Sequence, residues 1–471
     1  MLEESEKEKE EKIIINKNDI EQMEVDEENY SIKEKIIYIL KGISSIISSI
    51  MHTFGYYSIW MLGYTNIYLI SFRRHYNKSI NFSYSYCFIP LLHLSFGLSA
   101  PVGGIIEDKL GGKLTIILSD FILFISFISL YISRNIYIDF ILIIIIGFGI
   151  AIGYNITKKN ACSFFMNKKA LICGIINLIT NILCLVILFY NELEILNYTA
   201  RPPSIEETYY RKKVFMNYQT LIIFQIKIII FTCIGSLLLY FQNDPKETIK
   251  FGFNEKINND NNTKDSNTIE KIEKRKKKTS KYKEIKMVIK NKRTIRLIII
   301  IFLFFPTINY INNVMRMHIT LFFMLGIVYN FIGSISFLIF TLIGDLIQFR
   351  FLFAILSALL SIISFMFTQY MGEDDLILLI GIVISSFVFS GFNVIFDAHI
   401  MKVYGMKNYI GIWGIIRASG GISEIFGIIF NFTLESNSYV YKIIYFIIGC
   451  FNFFSLILGL FETDNKFNYE N

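Results

Sequence analysis

Apolar runs of Ile, Leu and Phe recur along almost the whole chain, among them Phe121 to Ser133, Ile138 to Ile156 and Leu297 to Phe305. A helix of about 20 such residues crosses the roughly 30 Å hydrocarbon core of a bilayer. At that depth there is no water to satisfy peptide groups, so each span must pair its own N–H and C=O groups as a helix. A membrane β-barrel needs short alternating segments, and these runs do not alternate. A large soluble helical protein is the alternative. The repetition of the spans counts against it, as does a chain that is 53% hydrophobic and 16% aromatic over 471 residues.

Spans are expected at roughly 43–71, 86–106, 114–133, 137–157, 170–190 and 218–241, and again at 295–315, 322–346, 351–370, 376–400, 409–432 and 440–461. The expected fold class is therefore an all-α polytopic membrane protein of about twelve transmembrane helices in two bundles of six. Residues 1–35 read as a disordered charged tail, 36–241 and 294–462 as the bundles, 242–293 as a basic linker and 463–471 as a short polar tail. "MLEESEKEKEEK" is the opposite of a signal peptide, which leaves the first span to target the chain. Lys109, Lys113, Lys158, Lys159, Lys168, Lys169, Arg350, Lys402 and Lys407 fall on one side, which places both termini in the cytoplasm. Arg73, Arg74, Arg211, Lys212 and Lys213 sit against that rule on the other side. The expectation is a multi-pass protein of the plasma membrane or an organelle membrane, acting as a monomer.

The net charge of +7 is concentrated in particular segments, so it is not a nucleic-acid footprint and no nucleic acid is expected as a partner. The basic run from Lys274 to Lys286 would fix topology, and it offers a surface for anionic lipid head groups. The six cysteines form no CxxC pair or Cys/His cluster, so neither a disulfide framework nor a metal is expected. No P-loop, nucleophile elbow or HExxH occurs, which leaves ATP-driven transport and hydrolysis without support; neither an enzyme nor a cofactor is expected. Sequons at Asn77, Asn81 and Asn197 fall in outward loops under the expected orientation.

"GGIIEDKLGGKL" places Gly104, Asp108, Lys109, Gly111 and Lys113 in the order G-x-x-x-D-[RK]-x-G-x-[RK] between the second and third spans. This resembles the signature loop between helices 2 and 3 of the major facilitator superfamily of transporters. "TLIGDLIQFRF" offers a degenerate counterpart in the second half, with Asp345 and Arg350 standing 237 residues after Asp108 and Lys113. The same shift carries Gly174 onto Gly411 and Ala161 onto Ala398. "GYNITKKNACSFFMNKKALICGI" (Gly153 to Ile175) and "YGMKNYIGIWGIIRASGG" (Tyr404 to Gly421) resemble the helix 4–5 and helix 10–11 regions of the oxalate/formate antiporter and monocarboxylate transporter branch. That branch places a lysine where this chain has Gly420, and Arg417 lies three residues earlier on nearly the same face. Helix 8 has no basic residue before Gly344, which argues against oxalate itself. The resemblance implies two repeated halves, a site near the bilayer midplane lined by helices 1, 4, 7 and 10, and gating by Gly104, Asp108, Lys109, Gly111, Lys113, Asp345 and Arg350.

Polar residues inside the spans are costly in lipid and fall on distinct helix faces. Thr53, Tyr57, Trp60, Tyr64 and Tyr68 share one face of span 1 and suit either ligand stacking or interfacial anchoring. Ser386, Ser390, Asn393 and Asp397 form a stripe on span 10 that faces either the cavity or another helix. Asn309, Asn313 and Arg316 form a similar stripe near Pro306. Gly411, Gly414, Ala418 and Gly421 make a small-residue stripe on span 11, flanked by Arg417 and Glu424. Arg417 is the first choice for pairing an anionic substrate, with Glu424 either its structural partner or a proton carrier together with Asp397. Lys227, Asp120, His52 and His93 are weaker candidates, a lone histidine in a helix usually being a packing residue. The expected activity is secondary transport of a small organic solute, a monocarboxylate or related anion, with proton coupling or exchange. A carrier of neutral or cationic solutes and a non-transporting receptor are the alternatives.

Overall fold

A computed structural model describes residues 32–60, 69–70, 72–74, 76–77, 79–80, 84, 87–165, 167–190, 212–238, 288–317, 322–370, 375–433 and 438–465. The tail before residue 32, the sequons at Asn81 and Asn197, and the basic run from Lys274 to Lys286 lie outside them. The first half contains α1 (Ile32–Trp60), α2 (Phe88–Leu110), α3 (Gly112–Ile132), α4 (Ile136–Gly153), α5 (Ile156–Phe164), α6 (Lys169–Tyr190) and α7 (Lys212–Leu238). The second contains α8 (Lys292–Met317), α9 (Phe322–Ile343), α10 (Phe349–Tyr370), α11 (Asp375–Thr433) and α12 (Ser438–Leu460). α4 and α5 make one crossing, interrupted by a turn at Tyr154 and Asn155, whereas α11 makes two, folding back at Gly405. The described elements therefore form two groups of six crossings, and nine helices among the described residues are long and apolar enough to span a membrane.

Two glycines make sharp turns. Gly111 (φ 79°) separates α2 from α3, and Gly405 (φ 76°) separates the two arms of α11. Both sit in a region of backbone space that side chains with a Cβ rarely enter. Gly111, singled out from the motif, is thus where the chain reverses between spans.

The two bundles meet along two pairs of helices. On one side α2 crosses the second arm of α11, with Gly97 on Gly421, Ala100 on Gly414 and Gly104 on Gly411. A Cβ placed on Gly104 would stand 2.8 Å from the Gly411 Cα, so the backbones are in direct contact. In lipid, where apolar side chains gain nothing by leaving the solvent, close packing of this kind drives helix association. On the other side α6 crosses α9, and Gly174 packs on Thr341. The 237-residue shift read from the sequence relates these two contacts, carrying Gly104 onto Thr341 and Gly174 onto Gly411. The internal repeat is therefore a repeat of the interface itself.

Several charges near the ends of the spans are paired. Arg73, which broke the orientation rule, holds Asp139 through Nε and Nη2 and donates to the Leu130 and Ser133 carbonyls, with both charged side chains fully buried. At the end that carries Gly111, Lys159 on α5 donates to Glu107 on α2 at 2.7 Å, which gives a role to a carboxylate that the loop motif does not require. Beyond α12, residues 461–465 strap the C-terminal bundle. Glu462 pairs with Arg293 and Arg296 at the start of α8, while Asp464 pairs with His399 and accepts the Phe349 N–H. Burial, the largest single influence, would raise the Asp464 carboxyl, but the hydrogen bond and charge of His399, the Phe349 N–H and the charge of Lys402 together outweigh it and hold the group below the usual carboxylate range. A depressed carboxyl contributes stability above its unfolded value and loses it as pH falls through the folded one.

The glycine contact yields a direct expectation. Gly104→Val should overpack the α2–α11 seam and cost about 1–3 kcal/mol, lowering the thermal midpoint of the purified protein in detergent. The same substitution at Gly111 has open space around it and strains only the turn. An unchanged midpoint for Gly104→Val would remove the seam as a stability determinant.

Candidate functional site

Between the bundles, Lys158 on α5 and Asp397 on the first arm of α11 form an ion pair, Nζ to Oδ2 at 3.4 Å, with 0% and 5% of their side-chain surface exposed. Tyr154 and Lys158 stand one helical turn apart, so the phenol comes back over its neighbour. Lys158 Nζ donates to Tyr154 OH at 3.3 Å and lies 4.4 Å from that ring's centroid. Tyr154 OH donates in turn to Tyr57 OH on α1 at 3.5 Å. The other oxygen of Asp397 accepts the indole N–H of Trp413 at 2.9 Å. A buried charge pair is tolerable only when the remaining lone pairs and protons are also satisfied, and these bonds do that.

An aromatic wall surrounds the pair. Phe96 on α2 meets Tyr154 and Trp413 edge-on at 5.6 and 6.0 Å, and Tyr154 and Trp413 lie 5.8 Å apart. Arg417 follows Trp413 by one turn of the same arm. Its guanidinium carbon sits 3.7 Å from the Phe305 centroid and 5.4 Å from that of Phe96, so the cation lies over rings from both α8 and α2. Arg417 is half-buried, and among the described residues it has no hydrogen bond or ion pair. A guanidinium presents five donors in one plane, geometry that matches a carboxylate. Seven residues on, Glu424 meets His93 of α2 at 3.1 Å, a second pairing between the bundles.

The expected residues therefore separate by location. Tyr57, Asp397 and Arg417 come together at the centre. Asn393 is half-buried and makes no hydrogen bond with the described residues. Ser386 and Ser390 face α9, the first bonding the Tyr329 carbonyl and the second packing at Gly333. The stripe read on that span is thus divided, its first half serving helix contact and its end the centre. The side chains of Trp60, Asn309, Asn313 and Arg316, and Tyr64 and Tyr68 entirely, lie outside the described residues. At the Gly111 end, Asp345 accepts the Ala170 and Leu171 N–H groups at the start of α6 and pairs with Lys402 at 3.0 Å. A carboxylate on the free N–H groups of a helix terminus satisfies both partners, and here the bond runs from one bundle to the other. Arg350 lies instead over Phe351, at 4.6 Å. Asp108 and Lys109 are exposed.

Lys158, one of the lysines expected to set orientation, lies at the centre. The sequence did hold a signal, since Tyr154 and Lys158 share a helical face six residues before the end of the crossing. Phe96, Phe305 and Trp413 gave none, because apolar positions of a membrane helix read alike whether they face lipid or a cavity.

No family model matches the sequence, and no curated protein matches it. Solved structures do. A proton:xylose symporter of the major facilitator superfamily, XylE, bound to 6-bromo-6-deoxy-D-glucose, superposes with a TM-score of 0.65 at 13% identity, covering 90% of this chain and 95% of that one. The E. coli fucose:proton symporter FucP superposes with a TM-score of 0.60 at 12% identity, covering 90% and 98%. XylE from E. coli in a partially occluded inward-open conformation gives 0.57 at 13% identity, covering 88% and 98%. This chain has the major facilitator fold.

Breaking the central pair from one side should cost more than removing it. Asp397→Asn leaves a buried ammonium without its counter-charge, a loss of about 3–5 kcal/mol, whereas Asp397→Asn with Lys158→Met should recover most of that in a detergent melt. Equal destabilisation by the single and double variants would mean that the two charges are not coupled.

Proposed function

We propose that the protein is a secondary active transporter, not an enzyme, and that it carries a small organic anion, a monocarboxylate or a close relative, by alternating access between the two bundles. The observation that carries this reading is Arg417, a cation inside the membrane that lies over two aromatic rings and has no hydrogen bond or ion pair among the described residues. Charge at that depth is costly unless something compensates it. A carboxylate arriving on the guanidinium does so, while the rings of Phe96, Phe305 and Trp413 receive the organic part of the solute. Asp397 and Glu424 pair across the bundle interface with Lys158 and His93, and Asp345 caps α6 across it. Bonds that must part when the bundles rock favour one state over the other, which supports a gating role for these carboxylates.

Uncharged sugars are the second reading. It is favoured by the solutes in the names of the symporters that this chain resembles in fold. An aromatic wall with an indole also suits a sugar ring. The two readings differ at Arg417. In reconstituted vesicles under a pH gradient, Arg417→Ala should lower uptake of labelled monocarboxylates by about ten- to a hundred-fold, the worth of a charge-assisted hydrogen bond of about 1.5–3 kcal/mol, and leave sugar uptake unaltered. An unchanged rate for acids takes Arg417 out of the site; flux of labelled sugars alone gives the second reading, and no flux of either class ends the proposal.

A further inference from the structure

We infer that the N-terminal bundle holds a proton-binding site, separate from the central one, formed by His52, Asp120 and Ser236. The three come from α1, α3 and α7 and are buried. His52 Nδ1 faces the Ser48 carbonyl at 3.0 Å, and since a carbonyl can only accept, the hydrogen on that nitrogen is assigned. His52 Nε2 then faces Asp120 Oδ2 at 3.3 Å and Ser236 Oγ at 3.0 Å, while Ser236 donates to Asp120 Oδ2 at 2.6 Å.

Counting hydrogens shows what the cluster needs. With a neutral imidazole and an ionised carboxylate, the lone pair on Nε2 would point at the carboxylate, and a buried negative charge would stand without a cation. One added proton removes both problems. It sits either on Nε2, giving an imidazolium beside a carboxylate, or on Asp120, which then donates to Ser236 while Ser236 donates to Nε2. The serine hydroxyl links the two arrangements, so the trio shares a single proton and is neutral as a whole. Asp120 Oδ1 is buried and has no hydrogen-bond partner among the described residues, so nothing else there holds the carboxylate ionised. The other titratable groups facing the cluster are Tyr56 from α1 and Cys233 from α7, both neutral in their ordinary forms.

The cluster also communicates with the centre. The Tyr56 ring lies 6.3 Å from His52 and 6.2 Å from Tyr154, whose hydroxyl holds Lys158. Tyr56 OH is bonded at 3.1 Å to Ser119, the residue before Asp120. Ser49 on α1 donates to Thr157 at 3.3 Å, next to Lys158. A change from neutral to negative at Asp120 would act on Tyr56 and Ser119, the groups that stand between it and Tyr154 and the cross-bundle ion pair. On the transporter reading, which this step rests on, the trio takes up the coupling proton, and the arrangement described here is the loaded one.

Infrared difference spectroscopy of the purified full-length protein across a pH series tests the site without any solute. A carboxylic-acid or imidazolium band should titrate in the unaltered protein and disappear in both Asp120→Asn and His52→Gln. Ser236→Ala changes no charge and should move the midpoint by about one pH unit, the scale of one charge-assisted hydrogen bond. The absence of a titrating band in the unaltered protein, or its persistence in either charge-site variant, overturns the inference. If those variants do not fold, an unmoved midpoint in Ser236→Ala overturns it alone. In vesicles with labelled lactate as the probe, His52→Gln should keep exchange and lose accumulation driven by a pH gradient; retained accumulation refutes the coupling role. If the unaltered protein moves no lactate, the anion-transport reading is what fails, and the infrared band still decides the proton site.

Discussion

A polar group in the interior of a bilayer has no water to turn to, and each one left unpaired there costs several kcal/mol. That constraint organises this protein. It forces the backbone into helices, and it gathers the few charged side chains of the spans into groups. Arg73 with Asp139, His52 with Asp120, Lys158 with Asp397 and His93 with Glu424 are all buried or nearly so. The pairs divide into two kinds. Arg73–Asp139 and His52–Asp120 lie within the N-terminal bundle, where the helices keep their neighbours, and Lys158–Asp397 and His93–Glu424 lie between bundles. A bond within a bundle persists through rigid-body rocking, whereas a bond between bundles is tied to one state.

The seams carry the same distinction in apolar form. Glycine on glycine along α2 and α11 allows backbone contact without interlocking side chains. Such a surface gains dispersion energy when closed and presents no large side chain to extract when opened. Gly174 on Thr341 repeats the arrangement at the other seam with a threonine hydroxyl and Cβ in place of one glycine. The degenerate second motif fits this picture. It keeps the carboxylate, Asp345, which caps α6, and it lacks the glycines that make the first seam so close.

Among the described residues Arg417, like the exposed Lys227 of α7, has no ion pair; Arg417 stands against the central aromatic wall, and that is why function is placed there. Its charge is met by the quadrupoles of two rings, worth about 0.5–2 kcal/mol each, well short of what a counter-ion supplies at such depth. The neighbouring Lys158 makes a direct ion pair and Arg417 makes none among the described residues, although both lie on the same central wall. A protein that spent one carboxylate on the lysine and kept the guanidinium for an incoming group would look like this.

The chain by itself determined the number and kind of elements, because hydrophobic length and the absence of water at depth admit one solution for each run. It also held the turn at Gly111, the close-packing stripe from Gly411 to Gly421 and the 237-residue repeat, all of which depend on residue size and spacing along one helix. It did not separate Lys158 from the orienting lysines, or Ser390 from Asp397 on one stripe, and it gave no pairing for Glu107, Arg73 or His52. Only the tertiary structure decided those, because a partner for a buried charge is chosen across helices far apart in sequence, and periodicity within a span records which residues share a face but not what that face meets.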